Sequence, residues 1–451
     1  MNREGVASRF ADFISEIRTS EISETCFHAA KRCFVDYFGV ALAGSAHPIA
    51  KILKRYIADQ KGQCSILGSR YQTSMEGAAF INGTLGHVLD YDDVKANIGH
   101  ISVTIAPAVL ALGENLGKSG AEVLAAFFAG AEISSRVANS VEPAHSQQGW
   151  HPTATCGIFG VAAACGKLLG LDRDALRRMF GIAGSFSGGL RRNTGTPTKP
   201  FHAGQTAQNG LKAALLASLG VSGDPDIFSG KKSFGEVFSS PACEGELVRD
   251  LGQSFELLKN GFKLYPCCAS AHTAIDAVLS LSGEHSIDPT EIIGIEVGTV
   301  PLVIDNLPHE KPQNIGECRF SMPFCLSLAL VDGKVTLENF SEERLGNACI
   351  KDLMGRVTLF TDPEMVSLGY RGTENANVKI VMKSGRAYQK RVDTAIGHPL
   401  NPVSDEGLKS KFRSCTKQVL PPERSEMLLS MLLSFEQLPD LKGLLSLTRP
   451  G

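Results

Sequence analysis

The sequence predicts a mainly α protein with an all-helical main domain, discontinuous along the chain, and a smaller α+β second domain. Three observations predict this. Apolar residues recur at helical spacing over 1–259, the pattern shifts towards strand-like alternation over 260–396, and a proline-rich stretch then leads back to amphipathic helix over 397–451. A length of 451 residues accommodates such units at about 100–200 residues each.

The elements follow in order. Ile22, Cys26, Ala29, Cys33, Tyr37 and Val40 lie on one helical face, as do Ile49, Ile52, Leu53, Tyr56 and Ile57. Ser119 and Glu122 match a capping box ahead of VLAAFFAGAEI, and Asp172 is placed to cap RDALRRMFGIAG. CGIFGVAAACG and GLKAALLASLG are small and apolar on most faces, which predicts buried central helices. With 46 glycines and only 7% aromatic residues, small side chains must fill much of the interior. Beyond residue 260, IIGIEVGTV alternates with Ile293, Ile295, Val297 and Thr299 on one side, and RVTLF (356–360) is a further strand. NVKIVMKSGRAYQKRVDT reads as a hairpin turning at Ser384-Gly385. SAHTAIDAVLSLSG and PFCLSLALVDG are helices between these strands. Ser404 is placed to cap the first helix of the tail, which is expected to pack back on the first domain.

Composition excludes several functions. A net charge of −2 gives no ground for nucleic acid or an anionic membrane as partner. No stretch approaches the ~18 consecutive apolar residues of a membrane span. The N-terminus mixes arginine with acidic residues and lacks a secretory apolar run, so a cytoplasmic location is expected. Twelve cysteines without a CxxC pair read as reduced, mostly buried thiols.

Four loop-like segments concentrate polar residues. GHVLDYDDVKANIGHISVTIAP holds His87, Asp90, Asp92, Asp93, Lys95 and His100. GWHPT places His151 before a buried helix. GGLRRNTGTPTKPFHAG carries Arg191, Arg192, Lys199 and His202 with no acidic residue, a composition that suits an anion. GFKLYPCCASAH carries Lys263, Cys267, Cys268 and His272. Each has a plain structural alternative: the aspartates as helix caps, His151 as a satisfied loop residue, Lys199 as a solvated charge. Adjacent cysteines are no metal signature, and the acidic cluster with His87 would suit Mg²⁺ or Mn²⁺ as hard ions.

Taken in order, HxxDYDD…GHxSV, GWHPTxxCGxFG, GTxTKPxHAG and KxYPCCxxxH resemble the MmgE/PrpD family over nearly the whole chain. That family includes 2-methylcitrate dehydratase, cis-aconitate decarboxylase and iminodisuccinate epimerase. The resemblance implies a helical domain with an α+β lid, a homodimer, no metal or organic cofactor, and a small polycarboxylate substrate. Matched positions imply Asp90, His100, His151, Lys199 and Lys263 as catalytic residues. Arg191, His202, Cys268 and His272 join them as substrate-binding candidates. Two lysines would neutralise carboxylates and the enolate-like charge that develops. Two imidazoles would move protons, with Asp90 orienting one of them. Val94, Cys268 and Phe324 replace threonine, histidine and tyrosine of the decarboxylating members, and GHISV differs from the form associated with the methylcitrate dehydratases. Cofactor-independent lyase chemistry of the dehydratase type is the leading expectation and epimerisation the second. A metal-dependent hydrolase and an inactive polycarboxylate-binding protein are the remaining classes.

Overall fold

The computed structural model describes residues 5–239 and 241–450. The chain divides into two compact units. The first comprises the chain up to Asn193, Pro197–Asn260 and the chain from Ser404; the second comprises Thr194–Thr196 and Gly261–Val403. The return to the first unit therefore comes at Ser404 rather than at 397.

The first unit is helical. Its principal elements are α1 (Glu24–Ser45), α2 (Met75–His87), α3 (Ser102–Leu116), α4 (Gly120–Val141), α5 (Pro152–Thr155), α6 (Gly157–Leu169), α7 (Arg173–Ser185) and α8 (Thr198–Ser218). Local chemistry starts them where the sequence indicates. Ser23 caps α1 by accepting from the Cys26 amide. The Ser119–Glu122 box closes in both directions at α4, and Asp172 accepts from the Ala175 amide at α7. Helix α6 is buried almost all round. Its crossing with α4 depends on glycine: a Cβ on Gly160 would lie 2.4 Å from the Gly130 carbonyl oxygen. The helix Ile49–Tyr56 buries only Ile49, Ala50 and Leu53. Ile52 and Tyr56 are 59% and 70% exposed, so the apolar face read from the sequence was too wide. The window Pro152–Leu169, interrupted by Thr153, Thr155 and Lys167, reaches the length and mean hydropathy of a membrane span, but 89% of it is buried. That is how a central core helix behaves.

The second unit carries α9 (His272–His285), α10 (Met322–Asp332) and a four-stranded sheet of β1 (Ile292–Thr299), β2 (Val357–Thr361), β3 (Ala376–Met382) and β4 (Ala387–Val392). The strand order is β2-β1-β3-β4, with β1 and β2 parallel and the other pairs antiparallel. Val378, Ile380 and Met382 face its core and Gly385 takes φ +83° in the turn, as the hairpin pattern requires. In β1 the register slips between Ile292 and Gly294, so Ile293 is exposed while Ile292, Ile295 and Val297 are buried. A bulge of this kind exchanges faces locally, which simple alternation does not foresee.

The tail then supplies α11 (Asp405–Thr416) and α12 (Pro422–Leu433), with Ser404 capping α11 through the Gly407 amide. Lys411 of α11 reaches Asp36 of α1 at 2.6 Å and the Tyr91 carbonyl at 2.6 Å. Phe435 packs on Phe34, 4.7 Å between ring centroids.

Candidate active site

The loop between α2 and α3 is built by its own polar residues. Asp90 takes φ +49° and Gly99 φ +83°, both left-handed. A side chain at 99 would also collide with Thr153 Oγ1, 2.6 Å from an added Cβ. Thr153 accepts from the His100 amide at 3.2 Å and donates to the Ile98 carbonyl at 3.0 Å. The loop is thereby tied to α5, whose N-cap is His151.

Asp92 is the carboxylate that the histidines share. Its Oδ1 lies 3.0 Å from His87 Nδ1, and its Oδ2 lies 2.8 Å from His100 Nδ1. His100 Nδ1 also sits 2.8 Å from the Asp93 carbonyl oxygen. Both neighbours are acceptors, so Nδ1 carries the proton and the neutral ring keeps its lone pair on Nε2. Asp93 is braced in turn by Ser102 Oγ at 2.5 Å and Asn260 Nδ2 at 2.6 Å. Asp90 was expected to orient a histidine; it is instead ion-paired with Lys199, 2.5 Å from Nζ to Oδ1. The sequence shows three aspartates but not which way each turns, so it could not separate Asp92 from Asp90. His87 was visible only as part of a cluster.

A strand-like pairing brings in His151. Residues 149–151 run antiparallel to 189–191: the Arg191 amide donates to the Gly149 carbonyl and the His151 amide to the Gly189 carbonyl. His151 Nδ1 then lies 3.1 Å from His202 Nδ1 on the first turns of α8. Its ring stacks near-parallel to His87 at 6.2 Å between centroids, and His87 is 4.4 Å from His100. Asp90, His100, His151, Lys199 and His202 thus assemble within the helical unit, with His87 and Asp92 between them. Arg191 turns towards another segment, where its guanidinium donates to the Ser146 carbonyl at 2.9 Å.

The charge states follow from burial and Lys199. Burial, then the Lys199 ammonium and the neighbouring imidazoles, hold His151 well below the ordinary histidine value. Burial and Lys199 bring His202 down to about 4. His87 falls to about 3 because burial outweighs the pull of Asp92. Burial pushes the Asp92 carboxyl upward, yet His100 and His87 together hold it well below the carboxylate range. Those three imidazoles are therefore neutral at pH 7, beside a lysine and an ionised Asp92.

Lys263, Cys268 and His272 belong to the second unit. Lys263 is 2% exposed. Cys268 is half-buried and its amide donates to the Arg319 carbonyl at 2.8 Å. His272 opens α9, buried against the Tyr265 ring at 5.0 Å between centroids. Phe324 lies in this unit's core against Phe340.

His87, Asp92 and His100 also offer three donor atoms within 4.8 Å of one another. Two imidazoles and one carboxylate suit a borderline transition ion rather than Mg²⁺ or Mn²⁺. An ion there would have to displace the ring protons that already face Asp92.

Comparison with known proteins bears on what such a cluster serves. The chain is 28% identical to the cis-aconitate decarboxylase of Homo sapiens, over 100% of its own length and 95% of the relative's. It is 28% identical to the Mus musculus cis-aconitate decarboxylase, over 100% and 94% of the two chains. Identity to the 2-methylcitrate dehydratase of Cupriavidus necator is 23%, over 94% and 92%. Residues 8–244 match the MmgE/PrpD N-terminal domain and residues 265–437 the MmgE/PrpD C-terminal domain. With both of its domains matched in order along the chain, this protein belongs to the MmgE/PrpD family.

Proposed function

We propose that this protein is a cofactor-independent acid/base lyase acting at a carbon next to a carboxylate of a small di- or tricarboxylate. The observation that carries the reading is the fixed tautomer of His100, whose Nδ1 is held on Asp92 and the Asp93 carbonyl so that Nε2 is the base. The relatives' names, a cis-aconitate decarboxylase and a 2-methylcitrate dehydratase, both denote loss of a small molecule from a polycarboxylate. Independence from a cofactor rests on the family resemblance.

Lys199 sits in the first turn of α8, a helix start with no side-chain cap. The positive end of the helix dipole and an ammonium there favour a carboxylate. As His100 Nε2 removes the neighbouring proton, negative charge spreads onto that carboxylate. Lys199 stabilises it where it develops, usually the largest catalytic contribution. Proton transfer by a positioned imidazole is worth roughly 10²–10⁴ in rate. Once the anion offsets the Lys199 field, His151 and His202 can take up protons, and His151 is the donor to the departing group. A leaving hydroxide needs such a donor, which favours a dehydratase over a decarboxylase; the losses at Val94, Cys268 and Phe324 support the same choice. Lys263 keeps, by resemblance, the part of a second cation.

Proton NMR of citrate, 2-methylcitrate and cis-aconitate incubated with the protein in D₂O tests this. Deuterium entering the carbon next to a carboxylate, with water lost or added, is the expected result. A ligand that raises the melting temperature while no member of the panel exchanges or turns over would instead identify a binding protein. Loss of carbon dioxide from cis-aconitate would replace the dehydratase assignment.

A further inference from the structure

The base of the proposed reaction is held by a stretch of chain far from it in sequence. His100 keeps its Nδ1 proton between Asp92 and the Asp93 carbonyl oxygen, so whatever fixes the Asp93 backbone also fixes the tautomer. The Asp93 side chain is fully buried. Its Oδ1 accepts from the Ser102 amide at 3.2 Å, and its Oδ2 accepts from Ser102 Oγ at 2.5 Å and Asn260 Nδ2 at 2.6 Å. Ser102 opens α3 and restrains the carboxylate locally. Asn260 stands 167 positions further along the chain.

A second strut leaves the same stretch. Lys95 and Gly99 exchange both backbone hydrogen bonds, at 2.7 and 2.9 Å, which closes the turn that delivers His100. The Lys95 side chain is buried against Glu256, 2.8 Å from Nζ to Oε2. Residues 256–260 therefore grip the loop at both 93 and 95. The stretch is itself anchored, because the Leu257 amide donates to Glu132 Oε1 of α4 at 3.0 Å.

The asparagine acts through its donor end. Nδ2 serves Asp93 and also Cys33 Sγ of α1 at 3.3 Å, while Oδ1 has no partner among the described residues. The amide cannot turn over, since its oxygen would then face a carboxylate. A buried polar oxygen left unpaired costs stability. Packing alone thus does not account for asparagine at this position, whereas donation to Asp93 does.

We propose that Asn260 is a positioning residue for His100. Through Asp93 it holds the carbonyl that keeps Nδ1 protonated and Nε2 unprotonated. The inference rests on the reading of His100 as the base. Without Asn260 the Asp93 carboxylate keeps only Ser102 and turns towards it, drawing the carbonyl away from Nδ1. Asp92, which also faces His87, then holds the ring alone.

The test uses the full-length protein labelled with ¹⁵N-histidine, with His100→Gln identifying the His100 signals. Steady-state kinetics follow the polycarboxylate that turns over. Wild type should show His100 as the Nδ1–H tautomer. In Asn260→Ala part of the population should pass to the Nε2–H form. There kcat should fall by up to about 10²-fold with KM little changed, the cost of a misplacement of about 1 Å. Asn260→Asp should be at least as poor, since two carboxylates then meet. Combining Asn260→Asp with Asp93→Asn exchanges donor and acceptor, and should restore the tautomer and most of kcat. An unchanged tautomer or an unchanged kcat in Asn260→Ala would overturn the proposal, as would failure of the exchanged pair to improve on Asn260→Asp. If no polycarboxylate turns over, the reading of the active site fails, and the tautomer decides the part played by Asn260. Should Asn260→Ala not fold, the exchanged pair against Asn260→Asp gives the same comparison.

Discussion

Asp92 and His100 meet at 2.8 Å from Oδ2 to Nδ1, and the other oxygen of the same carboxylate faces His87. One buried carboxylate thus sets the orientation of two imidazoles, while Asp90, two residues earlier, is spent on Lys199.

Asp92→Asn keeps the shape but offers His100 an amide in place of a charge. We expect kcat to fall by roughly 10²–10⁴ with KM little changed, because the base loses its tautomer and its stabilising partner. Steady-state kinetics on the substrate identified by NMR would show it; a fall of less than about threefold would remove Asp92 from the mechanism.

Asp90→Asn acts in the opposite sense on binding. Lys199 loses its internal counter-ion and becomes available to a carboxylate, so polycarboxylates should bind more tightly. Calorimetric titration reads the change, and weaker binding would contradict it.

Ligand binding should take up protons. His151 and His202 are held neutral by burial and Lys199, and a polyanion offsets the latter. Titration at pH 7 in buffers of differing ionisation enthalpy should therefore reveal net proton uptake. Proton release on binding would be the wrong sign.

The same depressed imidazoles make the fold sensitive to acid. Above about pH 6.5 folded and unfolded chains both hold a neutral His202. Below it the unfolded chain binds a proton that the folded site refuses until about pH 4, so stability falls as pH falls through that window. Asp36 and Glu132, each raised to about 7 by burial, contribute with the opposite slope. The difference between wild type and His202→Gln isolates the histidine: the variant should lose less melting temperature between pH 6.5 and 4.

Lys411→Met leaves Asp36 buried without its cation. Breaking a buried pair from one side costs about 3–5 kcal/mol, and the double variant with Asp36→Asn should recover part of it. Chemical denaturation measures both. Failure of the double variant to recover would mean that Lys411 acts chiefly through the Tyr91 carbonyl and ring, which it also contacts at 2.6 Å and 4.0 Å.

Helix starts, the hairpin and the change of character near residue 260 depend on residues a few positions apart. Ser119, Asp172 and Ser404 satisfy amides within their own first turns, and Gly385 needs only its own φ; such features are legible in a chain read alone. The polar segments were likewise visible as clusters of unusual composition. The roles within them were not. Asp90 and Asp92 differ by two positions in a loop with left-handed backbone, and only folding turns one towards Lys199 and the other towards two histidines. The placement of Arg191 on the Ser146 carbonyl and the exposure of Ile293 are of the same kind. Each is set by a backbone bend or by a partner far along the chain, and neither periodicity nor spacing carries that information.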